Sequence, residues 1–333
     1  MSRITVIGGG SWGTALAVIA GRRGHDVTLW SRDEEVVRAI NAERRNPKYL
    51  SDLAIPPGVN ASLDLSGTVH LAQLIILAAP SHGIRELVQQ IAGGVTPETI
   101  FVSATKGIET ATGLRVSEIV EEVLKDRFVP RFVCLSGPSF AREAAMGHPT
   151  AVAAASRDIS YARVIQGELS SPTFRVYANT DLVGTEICGA VKNVMAIAAG
   201  MVSGLGYGSN SLAALVTRGL AEMGRLAIYF GARSETMTGL AGLGDLVLTC
   251  TGSLSRNRFV GEELGKGRQL DSILAGMLEV AEGVKTTLAV RDTAIRAEIE
   301  MPITGAVYAV LYEHESPHSA IEKLMTRPLK DEF

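Results

Sequence analysis

Cysteine is scarce and scattered: Cys134, Cys188 and Cys250 are the three in 333 residues. An odd number at such separations builds neither a disulfide framework nor a zinc ribbon, so a reducing compartment is expected. An excess of positive charge is also lacking. With 32 Lys and Arg against 35 Asp and Glu, the formal net charge is −3 and the pI is about 6.1. That leaves no broad positive field for nucleic acid, although local cations could hold a small anion. No charged segment followed by an apolar signal precedes the first strand pattern, Arg3-Ile4-Thr5-Val6-Ile7, so export is not expected and a cytoplasmic location is. Repeats, low-complexity tracts and a Pro/Ser-rich linker are missing too, so the parts of the chain should share a tight interface. One apolar stretch, 182–202, is long enough to span a bilayer, but it contains Glu186 and Lys192 and reads as a buried helix.

What is present is enough apolar material, 46% of the chain, to fill two cores, since single cores stop growing near roughly 250–300 residues. From residue 1 to about 180, short Val/Ile-rich runs alternate with helical stretches. This is how a parallel sheet with crossover helices is written. Strands are expected at 3–7, 25–30, 74–78, 99–103, 132–136, 150–154 and 174–177, with helices such as 11–23 and 114–125 between them. After Asp181 the strand signal gives way to Ala/Leu/Met-rich helical segments broken by glycine clusters at 204–208 and 239–244. The expected architecture is therefore an α/β Rossmann-type parallel-sheet domain over 1–180, followed by an all-helical substrate-binding domain over 181–333.

Gly8-Gly9-Gly10-Ser11-Trp12-Gly13 satisfies G-x-G-x-x-G directly after the first strand and opens a helix, the full context of a dinucleotide site. Gly8 permits the tight turn, Gly10 lets the backbone approach a pyrophosphate, and Gly13 lets the helix pack closely on the strand. The second strand ends at Trp30 and is followed by Ser31-Arg32, where an NAD site usually has an acid for the ribose 2′-hydroxyl. A hydroxyl and a guanidinium suit a 2′-phosphate instead, which favours NADP(H) over NAD(H), although NAD(H) remains possible. Asp33 argues the other way unless it is the N-cap of a helix starting near Glu34.

Ligands of open α/β sheets sit beyond the carboxyl ends of the strands. Three loops qualify: 77–81, 103–107 with Lys106, and 136–141 with Gly137 and Ser139. Between Glu186 and Arg218 the only charged residue is Lys192, next to Asn193 in an apolar helix. Its ammonium either snorkels to the surface or is desolvated and poised to protonate a carbonyl oxygen as hydride arrives on the carbon. Further on, Asp245 can orient a lysine or a substrate hydroxyl, and Ser255-Arg256-Asn257 can donate to a phosphate. His314-Glu315-Ser316-Pro317-His318 imitates a zinc-binding H-E-x-x-H, but Pro317 separates the two histidines. Ser316 and Pro317 read as N-cap and first residue of a last helix, and no metal is expected.

From the residues alone three readings stay open. The chain is a dehydrogenase of an anionic substrate, a similarly built dehydrogenase of a hydroxy acid or sugar acid, or a non-catalytic NAD(P)H-binding redox sensor. Taken in order, the segments 8–15, 103–107, 137–141, 190–193, 242–246, 255–257 and 281–283 closely resemble bacterial-type NAD(P)-dependent glycerol-3-phosphate dehydrogenase over nearly the whole chain. The resemblance implies reversible reduction of dihydroxyacetone phosphate to sn-glycerol 3-phosphate, feeding phospholipid synthesis, by a cytoplasmic homodimer. It implies Lys192 as general acid/base, with Lys106, Asn193 and Asp245 around the reacting oxygens. Gly137, Ser139, Ser255, Arg256 and Asn257 would be substrate contacts. Ser11, Trp12, Arg32, Lys106, Ala141, Arg256, Val280 and Glu282 would be cofactor contacts. The chain departs from the family at 208–212, where an acid at 209 and often a lysine at 212 would be expected.

Overall fold

A computed structural model describes residues 1–329 and 331–332; Lys330 and Phe333, inside the expected 181–333 region, lie outside the described residues. Eight strands form one sheet: β1 (Arg3–Ile7), β2 (Asp26–Trp30), β3 (Val59–Ser62), β4 (Leu74–Leu77), β5 (Ile100–Ser103), β6 (Arg131–Ser136), β7 (Thr150–Ala155) and β8 (Phe174–Asn179). Their order is β3-β2-β1-β4-β5-β6-β7-β8, which contains the doubly wound 3-2-1-4-5-6 arrangement of a Rossmann-type domain. From Leu182 to Met325 the described elements are all helical.

The central strands β4 (Leu-Ile-Ile-Leu) and β5 (Ile-Phe-Val-Ser) are buried at every position, as parallel strands covered on both faces must be. The pleat divides their side chains between two cores. Ile4, Val6, Leu74, Ile76, Ile100 and Val102 face one layer of helices; Ile7, Ile75, Leu77 and Phe101 face the other. Edge strand β8 instead alternates, with Phe174 and Val176 inside and Arg175 and Tyr177 outside.

Two features depart from a purely parallel sheet with seven strands. The short strand β3 is not among the seven expected; two of the four residues of its Val-Asn-Ala-Ser sequence are polar, and it pairs with β2. The expected parallel sheet is parallel except at one place: β7 runs antiparallel to β6, with Cys134 opposite Ala155 and Ser136 opposite Ala153, while β8 is parallel to β7.

The helix Leu182–Gly204 is the apolar stretch noted in the sequence, and 89% of its most apolar window is buried. It is the core of the helical region. Its one carboxylate, Glu186, accepts from Arg115 Nη1 at 2.7 Å and from the Ser117 backbone N–H at 2.8 Å and hydroxyl at 2.6 Å, tying the helix to the sheet region. The helix Arg256–Gly265 crosses it at glycines: a Cβ added at Gly261 would stand 1.9 Å from the Ile197 carbonyl oxygen, and one at Gly200 2.0 Å from that of Arg258. Only backbones without side chains can approach so closely. Gly261→Ala is therefore expected to destabilise by about 1–3 kcal/mol or more, seen as a lower denaturant midpoint with an unchanged slope; an unaltered midpoint would show that the crossing relaxes freely.

The three cysteines are free and buried. Burial pushes the thiols of Cys188 and Cys250 up to about 12, so they behave as small apolar side chains.

Candidate active site

The strand order reverses between β1 and β4, and a cleft of about 560 Å³ opens there, between the carboxyl ends of the strands and the helical region. Its first wall is the glycine turn. Gly8 has φ +127°, and a Cβ there would lie 2.8 Å from the Ala78 backbone; a Cβ on Gly13 would lie 1.8 Å from the Gly8 carbonyl oxygen. Both glycines are thus required by geometry. A Cβ on Gly10 would meet nothing within 4 Å, which leaves the room that a pyrophosphate needs. Gly10 is also the N-cap of the helix Ser11–Arg22, whose first N–H groups find no capping side chain. Such a terminus takes an anion. Ser11 and Trp12 line the cleft, and the buried Trp12 Nε1 has no hydrogen-bond partner among the described residues.

The second wall comes from the loops after β4, β5 and β6. The Thr105 hydroxyl donates to the Ala79 carbonyl at 2.7 Å and so fixes one loop against the next. Gly137 sits at φ +150°, where a Cβ would press to 2.9 Å on Val152 Cα; its carbonyl accepts from the Ser139 hydroxyl at 2.9 Å and faces Lys106 Nζ at 3.4 Å. Ser139 and Ala141 line the cleft, while Gly137 shapes the loop behind them.

Where the walls meet, one carboxylate holds two ammonium groups. Asp245 Oδ2 is 2.7 Å from Lys106 Nζ, and its Oδ1 is 2.6 Å from Lys192 Nζ. Lys192 also donates to the Thr249 hydroxyl at 2.7 Å, and that hydroxyl donates to the Asp245 carbonyl at 2.6 Å. The Lys192 side chain is 7% exposed, so it does not snorkel to the surface. Burial lowers its pKa to about 7 against the opposing field of Asp245, with Lys106 adding to the fall. Burial alone would raise the Asp245 carboxyl, but the two ammonium groups hold it below its ordinary value. The result is a lysine whose pKa is brought down to about 7 and whose amine is held by two side chains, Asp245 and Thr249.

The remaining expected contacts lie on the helical side. Asn193 lines the cleft one residue from the lysine. Ser255 is the N-cap of the helix Arg256–Gly265, accepting from the Arg258 N–H at 3.2 Å. Arg256 is 48% exposed and paired with Glu279 at 2.7 Å. Asn257 accepts from the Gly283 N–H at 2.9 Å, which ties down the turn carrying Val280 and Glu282 at the rim. Glu282 Oε2 is buried with no hydrogen-bond partner among the described residues, and burial raises the Glu282 pKa to about 7, against the lowering effect of Arg256 and the Ser81 N–H.

Arg32 is exposed at the end of β2 and does not line the cleft. Asp33 beside it is the N-cap of the helix Glu34–Glu43, accepting from the N–H groups of Glu35 and Val36, and it is also bound by Lys48 at 2.6 Å. Thr249, Tyr49 and Glu279 belong to the cleft but were not among the expected site residues. Thr249 could have been found, because it stands four residues after Asp245 on one helix face. Tyr49 and Glu279 left no comparable signal. The segment 208–212, where the chain departs from the family, opens the helix Ser209–Tyr229, and none of its residues lines the cleft. The zinc-like sequence is split as anticipated: Ser316 caps the helix Pro317–Met325, and His314, at φ 58°, stands outside it. Among the described residues no group of three or more His, Cys, Asp or Glu could hold a metal ion.

The chain matches two family models: the N-terminal part of NAD-dependent glycerol-3-phosphate dehydrogenase over residues 3–162 and the C-terminal part over 181–322. It is 54% identical over 330 residues to the glycerol-3-phosphate dehydrogenase [NAD(P)+] of Koribacter versatilis, covering 98% of each chain. It is 49% identical to that of Nitratidesulfovibrio vulgaris, covering 99% of this chain and 100% of the relative. The crystal structure of glycerol-3-phosphate dehydrogenase from Coxiella burnetii superposes with a TM-score of 0.93 at 39% identity, covering 98% of this chain and 99% of that one. A glycine turn ready for a dinucleotide, a buried lysine tuned near neutrality and a full-length match to these proteins agree: the chain belongs to the NAD(P)-dependent glycerol-3-phosphate dehydrogenase family.

Proposed function

We propose that this chain reversibly reduces dihydroxyacetone phosphate to sn-glycerol 3-phosphate with NADPH as the preferred cofactor, and that Lys192 is its general acid/base. The observation that carries the reading is the Lys106–Asp245–Lys192 bridge inside the cleft beside the glycine turn. A nicotinamide held in this cleft would supply or accept the hydride. Lys192 gives a proton from Nζ to the carbonyl oxygen as the carbon is reduced, and in the reverse direction its neutral amine takes the proton of the secondary hydroxyl. Asp245 and Thr249 aim the amine, and Lys106 adds positive charge where the oxyanion develops. Arg256, Ser255 and the N-terminus of the helix Arg256–Gly265 hold the substrate phosphate, with Asn193 and Asn257 as neighbours.

In this reading residues 1–180 bind the dinucleotide and 181–333 the phosphorylated substrate. A homodimer working in the cytoplasm supplies glycerol phosphate for phospholipids. The test is loss of NADPH absorbance with dihydroxyacetone phosphate, run beside unphosphorylated dihydroxyacetone. Equal rates on the two ketones would reject the phosphate site.

The preference for NADPH is supported by the engagement of Asp33, whose carboxylate is bound by two N–H groups and by Lys48, while the neighbouring Arg32 is exposed at the end of β2. A charge-assisted bond from a guanidinium to a 2′-phosphate contributes about 1.5–3 kcal/mol, so Arg32→Ala should weaken NADPH roughly 10- to 100-fold with little change for NADH. Unchanged discrimination between the two cofactors would remove Arg32 from the site.

A further inference from the structure

The pairing of Arg256 has a second half. Glu279, in the turn between the helices Leu270–Ala275 and Glu282–Arg296, places Oε2 2.7 Å from Arg256 Nη1, and its Oε1 accepts a close hydrogen bond from the Ser11 hydroxyl. Ser11 is the first residue of the helix that follows the glycine turn, and Arg256 is the first residue of the helix Arg256–Gly265. One carboxylate therefore spans the cleft between two helix N-termini, of 12 and 10 residues. Both would otherwise attract the anionic groups of ligands: the dinucleotide pyrophosphate at Ser11 and the substrate phosphate at Arg256. A carboxylate offers the same negative charge and the same acceptor oxygens as a phosphate, and it cannot share these donors with one without like-charge repulsion. Glu279 is 25% exposed and Arg256 48%, so the pair is partly solvated and weak enough to open.

We propose that Glu279 is an internal competitor for the two anionic ligands, holding Ser11 and Arg256 until cofactor or substrate displaces it. The proposal rests on the reading of this cleft as the dinucleotide and phosphate site. Two consequences follow from the bridge. Each ligand binds more weakly than the donors alone would allow. Because one carboxylate blocks both sites, the ligand that dislodges it frees the donor needed by the other, so cofactor and substrate assist each other's binding.

The test is calorimetric titration of NADPH into the parent, Glu279→Gln and Glu279→Ala, alone and with saturating sn-glycerol 3-phosphate, a pair that cannot react together. Both variants should bind NADPH roughly twofold to fivefold more tightly than the parent, as expected for removal of a partly exposed ion pair. The gain in NADPH affinity that glycerol phosphate gives the parent should shrink in both. Unchanged or weaker binding in the variants overturns the proposal; weaker binding would make Glu279 a partner of the cofactor, for instance of a ribose hydroxyl. A parent that binds no NADPH overturns the proposal together with the reading of the cleft.

Discussion

Replacing Lys192 with methionine is expected to lower turnover in both directions by about 10²–10⁴, the usual contribution of a positioned general acid, while NADPH binding and the unfolding midpoint stay near those of the parent. The stability half of this expectation follows from the pairing. Asp245 keeps Lys106 as its partner, and methionine fills the apolar sleeve of the helix Leu182–Gly204 without a charge to desolvate. The pH profile gives a sharper signature. With the lysine pKa lowered to about 7 by burial, ketone reduction needs the protonated form and falls as pH rises through that value, whereas oxidation of glycerol phosphate needs the neutral form and rises. Both limbs should vanish in Lys192→Met. Turnover within a few-fold of the parent would take the lysine out of the chemistry.

Asp245→Ala should harm both fold and rate. It leaves two ammonium groups facing each other with no carboxylate between them, and breaking a buried pair in this way costs about 3–5 kcal/mol. Because Asp245 opposes the effect of burial on Lys192, its loss lowers that pKa further. The reduction limb must then shift toward acid, so the variant loses activity at a pH where the parent is still active. Asp245→Asn, which keeps the side-chain shape, should show the same direction of pH shift. The measurements are a denaturant titration and a pH–rate profile; a variant with the parent's midpoint and limb would mean that the two lysines do not depend on this carboxylate.

How much of this was legible in the chain depended on how local each signal was. The glycine turn declares itself because strand, turn and helix are contiguous, and Asp33 and Ser316 declare themselves as caps because a cap serves N–H groups two or three residues away. Lys192 stood out by contrast, the single charge between Glu186 and Arg218. Strand β3 did not: it has four residues, of which two are apolar, and its register comes from β2, more than thirty positions upstream. The inversion at β7 was equally hidden, because Thr-Ala-Val-Ala-Ala-Ala fits either direction and only the partner decides. Glu279 belongs with these. It joins two residues distant in sequence from a turn with no periodicity, so its part in the cleft exists only in three dimensions. Glu186 read only as a charge unwelcome in a membrane, since its partner Arg115 lies 71 positions away.

The inversion at β7 also determines where residue 192 comes to rest. Because β7 and β8 run against β6, the chain leaves the sheet at Asn179, level with Ala155 and Cys134, two residues short of the end of β6 that faces the cleft. The helix must then climb. Leu182 packs in one cluster with Phe132 and Cys134, a Cβ on Gly189 would stand 3.1 Å from the Ser136 hydroxyl, and Lys192 lies about 4.5 Å higher still, at 1.5 Å per residue. The ascent works like a ruler cut to length: one residue more or fewer before Gly189 turns the amine through about 100° and away from its carboxylate.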